Sequence, residues 1–176
     1  MKAGVIMENV EGLIKGEAWS YVQRIYKQLH DIGYQVKHWL CKGENMGVPQ
    51  KRHRVFFIAL RSDVDFNLEY LDMSFNYEPI IYGEIKDNKG EKLKEGSQQY
   101  NMLQLATPND HCIEDVLIKH LNKSSCFTDM IVWDNEVSCT LTSKGNIFSG
   151  NSRTRFSSHD ILSIQTFPED FYSLPL

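Results

Sequence analysis

The chain has 176 residues, 41% of them hydrophobic, which is enough for one compact domain with a buried core and a small appended one. With 19 Lys and Arg against 23 Asp and Glu, the net charge is -4, so any site for a polyanion must be local rather than spread over the surface. No segment has the apolar length of a signal peptide or a membrane span, so we expect a soluble, cytoplasmic protein with no membrane partner.

The cysteines do not predict a metal site. They lie far apart, with no Cys-x-x-Cys pair and no histidine at zinc-ligand spacing, at positions Cys41, Cys112, Cys126 and Cys139. We expect four reduced thiols and neither a disulfide framework nor a bound metal.

The first sixty residues predict half of an open α/β sheet. An apolar run over residues 5–7 is typical of a buried parallel strand, and Glu8 and Asn9 end it. Helical spacing of apolar residues predicts a helix over residues 17–32, capped by Gly33. A strand over 34–41 follows, and a turn at 47–49 leads to an antiparallel strand over 50–60.

A basic cluster opens that last strand. It reads QKRHR from Gln50 to Arg54. If the strand begins at Gln50, then Gln50, Arg52 and Arg54 share one face, and Lys51 and His53 the other. Two guanidinium groups beside an amide suit a planar acceptor such as a phosphate or a base edge. Basic residues at a strand start more commonly protect an exposed edge, and that is our interpretation of Lys51 and His53.

The second part of the chain is less regular. The mixed-charge run over residues 86–96 predicts a solvated loop or hairpin tip. Apolar residues between Ile113 and Leu121 predict a short helix, and short strands follow around Asn135 and Gly145. A last helix begins near Ser157 and continues until Pro168 stops it.

Three segments, in this order, resemble motifs of the DNA (cytosine-5-)-methyltransferase family. They read MENVEGL, GVPQKRHRVFFIA and TRFSSHDILSIQTFPEDF. The last is similar to the pattern R-x-L-T-x-x-E-x-x-R-L-Q-G-F-P, with Arg155 for the leading arginine, Asp160 for the acid and Ser163 where an arginine is usual. Between the motifs, EVSCTLTSKGN resembles the target-recognition region, with Thr140 and Leu141 as its Thr-Leu pair.

The resemblance implies an α/β fold with two parts. The first is a partial Rossmann-like sheet of the S-adenosylmethionine-dependent methyltransferases, over residues 1–61. The second is a small, mainly β target-recognition domain over residues 62–155, followed by a helical segment over 156–176 that returns to the catalytic domain.

The resemblance also implies residue roles. Carbon 6 of cytosine accepts a thiolate only if charge building on the ring is stabilised at N3 and O2. Glu8, as a carboxyl kept neutral by burial, would bind N3 and the exocyclic amine of a cytosine flipped out of double-stranded DNA. Asn9 would fix the turn that aims Glu8, and Arg54 would contact O2. Arg52 and Gln50 would hold the neighbouring backbone or orient Glu8.

The DNA-binding candidates come from both parts of the chain. They are Gln50, Lys51, Thr140, Leu141, Thr142 and Arg155. Each motif also has a simpler interpretation. A glutamate that ends a strand is most often a solvated or capping acid, and a Thr-Leu pair alone is an ordinary strand pair.

Several expected parts do not appear in the sequence. No cysteine follows a proline, as the family's nucleophile does, and the glycine-rich turn that binds S-adenosylmethionine is absent. We therefore expect no methylation by this chain alone. It is a subunit of a split enzyme, a truncated gene product, an excised piece, or a non-catalytic DNA-binding or regulatory module. A half sheet also predicts a second polypeptide, or self-association, covering its exposed edge and face.

Overall fold

The computed structural model describes residues 3–124, 129–142, 145–168 and 170–171. The chain divides into two compact units. The first comprises residues 1–46 and 52–77, and the second comprises residues 47–51 and 78–176. The domain boundaries expected from the sequence, after residues 61 and 155, stay predictions.

The first unit is a three-stranded sheet with one long helix. Its strands are β1 (Gly4–Val10), β2 (Tyr34–Lys42) and β3 (His53–Arg61), in the order β1-β3-β2, and α1 is Trp19–Asp31. Both strand pairs are antiparallel, so the expectation of a buried parallel strand at residues 5–7 is wrong for this chain. The only neighbour of β1 among the described residues is β3, which runs back from β2 through a short connection. The predicted antiparallel pairing of β2 and β3 is confirmed.

Helix α1 forms where the apolar spacing predicted a helix. Its buried Val22 packs against Val55 and Phe57 of β3, and these three residues form the core of the first unit. The chain leaves the helix through Gly33, whose φ of 83° lies in the left-handed region and whose N–H donates to the carbonyl of His30. The amphipathic pattern and the terminal glycine therefore located the helix to within two residues at each end.

Strand β3 begins later than the sequence indicated. It starts at His53, whereas the residues before it leave the sheet of the first unit. Gln50 instead forms an isolated parallel bridge with Ser138. The expected sharing of one strand face by Gln50, Arg52 and Arg54 is therefore wrong, because only Arg54 belongs to the strand.

The second unit combines a small sheet with four helices among its described residues. The helices are α2 (Tyr82–Ile85), α3 (Gln98–Leu105), α4 (Ile113–Leu121) and α5 (Ser158–Ile164), and the strands are β4 (Glu91–Lys92), β5 (Met130–Val132), β6 (Ile147–Ser149) and β7 (Thr154–Arg155). The sheet order is β4-β7-β6-β5, with β5 and β6 parallel and the other pairs antiparallel. β4 lies within the run expected to be a solvated loop, so that expectation is wrong for Glu91 and Lys92.

Two apolar clusters hold the second unit together. The larger one packs α3 and α4 against Ile131, Trp133 and Phe148. Trp133 donates from Nε1 to the carbonyl of Asp110, and Gly150 lies against its indole so closely that a Cβ there would be 2.5 Å from a ring carbon. The smaller cluster joins Tyr82, Val132, Phe156 and Ile164. It attaches α5 to the sheet.

The last helix is shorter than the sequence predicted. Ser157 caps α5 by accepting from the N–H of Asp160, and the Asp160 carboxylate accepts from the N–H of Ser157. The helix ends at Ile164, well before Pro168, because Thr166 adopts a φ of 60°.

The described thiols agree with the expected redox state. Cys41, Cys112 and Cys139 are free, and Cys126 lies outside the described residues. Within the described ranges, no helix has the length and apolar character needed to cross a membrane.

Candidate functional site

The glutamate of the first motif contacts an arginine of the second. Val10 of β1 lies opposite Arg54 of β3, so Glu8, two residues earlier, is the diagonal neighbour of Arg54 on the same face of the sheet. Arg54 Nε lies 2.6 Å from Glu8 Oε1. The Arg54 side chain is 23% exposed and that of Glu8 is 50% exposed. The antiparallel register of two strands thus brings together residues that are distant in sequence.

The Arg54 guanidinium is held from two sides. Besides the contact with Glu8, its Nη1 donates to the carbonyl of His53 at 2.8 Å. A guanidinium has five N–H donors, so others stay available to a further acceptor. The Glu8 side chain is half exposed rather than buried, which differs from the neutral, buried carboxyl that the resemblance implied.

The other predicted residues of the first unit lie nearby in sequence. Asn9 Oδ1 accepts from the N–H of Val10 at 2.8 Å, which fixes the backbone where β1 ends. Arg52 precedes β3, and its carbonyl accepts from the N–H of Gly43 while its side chain is exposed. The arginine that contacts Glu8 is Arg54, whereas Arg52 and Gln50 were expected to orient it.

The role of His53 was missed in the sequence. Its Nε2 lies 2.7 Å from Glu44 Oε1 and its Nδ1 lies 3.2 Å from Glu11 Oε2. Glu11 belongs to the 3-10 turn directly after β1, and Glu44 to the turn after β2. The interpretation of His53 as an exposed edge residue is therefore wrong: it ties both turns to the start of β3.

Two of the DNA-binding candidates meet in the second unit. The N–H of Lys51 donates to the carbonyl of Ser138 at 2.8 Å, and Thr140 Oγ1 donates to the carbonyl of Lys51 at 2.5 Å. Gln50 is 4% exposed, and its Nε2 is buried with no hydrogen-bond partner among the described residues. The hydroxyl of Thr140 thus holds the backbone of the second motif.

The remaining candidates surround a pocket of about 390 Å³ in the second unit. Leu141 and Thr142 line it from the segment after Thr140, and Arg155 lines it from β7. Arg155 lies five positions before Asp160, whereas the family pattern places its arginine six before the acid. The arginine in the pocket is therefore a feature of this chain and not the leading residue of the pattern.

The described thiols do not suit nucleophilic attack. Burial raises the pKa of Cys41, of Cys112 and of Cys139 above the ordinary value for a thiol. A raised pKa leaves less thiolate at neutral pH, and the thiolate is the reactive form.

The described residues do not provide a metal or methyl-donor site. None of their His, Cys, Asp and Glu side chains form a group able to hold a metal ion. A cavity of the first unit, lined by residues that include Cys41 and Met73, measures about 190 Å³. Ligand pockets typically measure about 300 to 1,000 Å³. Since this cavity is also remote from the turn between β1 and α1, we assign no residue of this chain to S-adenosylmethionine.

The sequence model of the C-5 cytosine-specific DNA methylase family matches residues 3–175, so the chain belongs to this family. Among curated relatives, the type II methyltransferase M.BspRI of Lysinibacillus sphaericus is 33% identical over 73 residues, which are 42% of this chain and 17% of that protein. M.DdeI of Desulfomicrobium norvegicum is 39% identical over 69 residues, which are 38% of this chain and 17% of that protein. The matched parts thus span about a sixth of these relatives.

Solved structures give the same fold over nearly the whole chain. The Spodoptera frugiperda DNMT2 structure superimposes with a TM-score of 0.54 and 15% identity, covering 98% of this chain and 58% of that one. This chain has the α/β fold of the S-adenosylmethionine-dependent cytosine-5 methyltransferases, in part: it spans just over half of that structure.

Proposed function

We propose that this chain is the part of a DNA cytosine-5 methyltransferase that binds double-stranded DNA and holds the flipped target cytosine. The contact between Glu8 and Arg54 carries the proposal, because it places a carboxyl and a guanidinium side by side at the end of β1. A cytosine that enters there meets Glu8 at N3 and the exocyclic amine, and Arg54 at O2.

This pair would lower the barrier to attack on carbon 6. Attack builds negative charge on N3 and O2, and charged donors fixed in advance stabilise that charge without reorganising. Arg54 can serve O2 while it holds Glu8, since Nε binds Glu8 and Nη1 binds the His53 carbonyl. Asn9 would keep the end of β1 in the conformation that presents Glu8.

The nucleophile and methyl donor would come from another part of the enzyme. No cysteine in the chain follows a proline, and burial raises the pKa of each described thiol. S-adenosylmethionine would supply the methyl group from that other part, which would be a second polypeptide in a split enzyme. We place the complex in the cytoplasm of a bacterium or of a phage-infected cell.

A non-catalytic DNA-binding or regulatory module is the second candidate. It is favoured by the same lack of a suitable thiolate, because target recognition does not require one. The two candidates differ in one observable: whether any partner polypeptide restores methyl transfer.

The test is methyl transfer from labelled S-adenosylmethionine to DNA. The chain is assayed alone and mixed with a donor half from a relative that carries the Pro-Cys loop. We expect transfer only in the mixture, and a loss of at least about 100-fold with Glu8→Gln, the scale expected for one general acid or base group. Glu17→Gln, at an exposed acid before α1, is the matched control and should keep the activity. Silence of every mixture together with DNA binding would favour the module, and activity of the chain alone would contradict the assignment of the nucleophile.

A further inference from the structure

The pocket of the second unit has the composition of a site for an uncharged, partly polar ligand. Its apolar side chains include Leu141, Ile147 and Ile161, and its amides are Asn146 and Gln165. Arg155 is the one charged residue among the described residues that line it. The volume of about 390 Å³ accommodates one heterocyclic base and little more.

The guanidinium of Arg155 is fixed in position. Arg155 lies in β7, which pairs with β6 on one side and β4 on the other, and its Nη1 lies 3.4 Å from Glu91 Oε2 on the adjacent β4. Its Nε is buried with no hydrogen-bond partner among the described residues, although the side chain as a whole is 43% exposed. A donor in that state is satisfied when a ligand supplies an acceptor.

Charge decides which acceptor suits this site. Glu91 balances the charge of Arg155, so the pair attracts a phosphate less than an isolated arginine would. A neutral base edge carries no such disadvantage. Of the base edges in the major groove, guanine presents two adjacent acceptors, O6 and N7, which match the fork of a guanidinium.

We propose that Arg155 reads a guanine of the DNA target, with Glu91 holding the guanidinium in register and the pocket beside Leu141 and Thr142 receiving the base edge. The inference rests on the proposed DNA-binding function and adds the identity of one base in the recognised sequence. Glu91 is a positioning residue, since it acts through Arg155.

Selection from random duplexes tests the inference for any target sequence. The 176-residue chain is used to enrich a randomised duplex library, and the bound pool is sequenced. The same selection is made with Arg155→Lys, which keeps the charge and removes the fork, and with the control Arg153→Lys. Arg153 donates to the carbonyl of Ala106 and stacks on Trp133, away from the pocket lining.

We expect the wild-type pool to contain a position fixed as guanine, and Arg155→Lys to lose the preference there by roughly 5- to 150-fold while other positions keep theirs. Arg153→Lys should retain the full pattern. Glu91→Gln, which leaves the guanidinium in place, should weaken the same position by a smaller factor. It also provides the test if Arg155→Lys does not fold, as judged by circular dichroism.

Three outcomes would overturn the inference. If Arg155→Lys weakens binding equally to all sequences and lowers its salt dependence, Arg155 contacts a phosphate. If the variants keep every base preference, the pocket does not read DNA. If the wild-type chain enriches nothing, the proposed DNA binding fails, and the inference fails with it.

Discussion

At the scale of single residues, the core of the first unit contains a titratable ring. His38 of β2 shares a hydrogen bond of 2.7 Å with the hydroxyl of Tyr26 on α1, and its ring lies 5.4 Å from that of Phe57. Burial lowers the pKa of His38 below its ordinary value of 6.5, and burial also raises the pKa of Tyr26. The folded chain therefore favours the neutral imidazole between α1 and the sheet.

This environment predicts a pH-dependent stability. A histidine whose pKa is lowered by folding binds fewer protons in the folded chain than in the unfolded one, so stability is fully present above the unfolded pKa and falls as the pH drops below about 6.5. We expect the melting temperature of the wild-type chain to fall more steeply on acidification than that of His38→Phe. Thermal unfolding followed by circular dichroism measures this. His30→Gln, at an exposed histidine of α1, should keep the wild-type slope, and identical slopes in all three proteins would contradict the prediction.

Single residues were predictable from sequence only where a motif named them. Glu8 and Arg54 were singled out because the resemblance gave each a role, and the structure places them in contact. His53 carries no such signal, because its partners Glu11 and Glu44 precede it by 42 and 9 residues. A contact between side chains from three separate segments becomes visible only when the strands have been placed beside each other.

At the scale of elements, α5 ends in a strained conformation. The N–H of Thr166 donates to the carbonyl of Ser163, and the N–H of Phe167 donates to the carbonyl of Leu162, which is the double hydrogen bond of a Schellman motif. This motif requires a left-handed residue, and Thr166 adopts it with a φ of 60°. A β-branched residue is unfavourable there, and the family pattern has glycine at this position.

Replacing Thr166 with glycine should therefore stabilise the second unit. We expect Thr166→Gly to raise the free energy of unfolding by about 1 kcal/mol, the usual cost of a left-handed conformation for a residue with a Cβ. Chemical denaturation measures the change. The control is Ser163→Gly inside the same helix, which should lower stability by about 1 kcal/mol because glycine is a poor helix former. A loss of stability in Thr166→Gly would show that the Thr166 side chain makes a compensating contact.

Elements with a local signal were predictable, and those that depend on distant pairing were not. The helical period and Gly33 located α1, and the spacing of Ser157 and Asp160 is that of a capping box, which marks the start of α5. The basic residues continue directly into the apolar strand, and this continuity falsely indicates a start of β3 at Gln50. The backbone around Gln50 and Lys51 instead binds Ser138, about ninety positions away, and alternation within one strand contains no trace of that partner.

At the scale of the whole chain, β1 presents an open edge. β3 pairs with β1 on one side only, and among the described residues no strand covers the other side. Ile6 is 71% exposed and Val10 is 54% exposed on the face opposite to α1. Unpaired strand edges with exposed apolar residues associate readily with other strands. The expected second polypeptide or self-association would cover this edge, and the exposure of Ile6 locates the contact.

Association through β1 should be sensitive to one charge at its centre. We expect the sedimentation coefficient of the wild-type chain to rise with concentration, and Ile6→Lys to weaken association about tenfold or more, since it replaces the burial of an isoleucine by the cost of placing a charge there. Ile32→Lys is the matched control: Ile32 is 56% exposed but follows α1, away from the strand edge, so its replacement should leave association unchanged. Sedimentation velocity over a wide concentration range measures all three proteins. A wild-type chain that stays monomeric throughout would rule out self-association, and the same Ile6→Lys variant, mixed with the donor half, would then report whether that polypeptide uses the edge. If so, Ile6→Lys would reduce the methyl transfer of the mixture while Ile32→Lys would not.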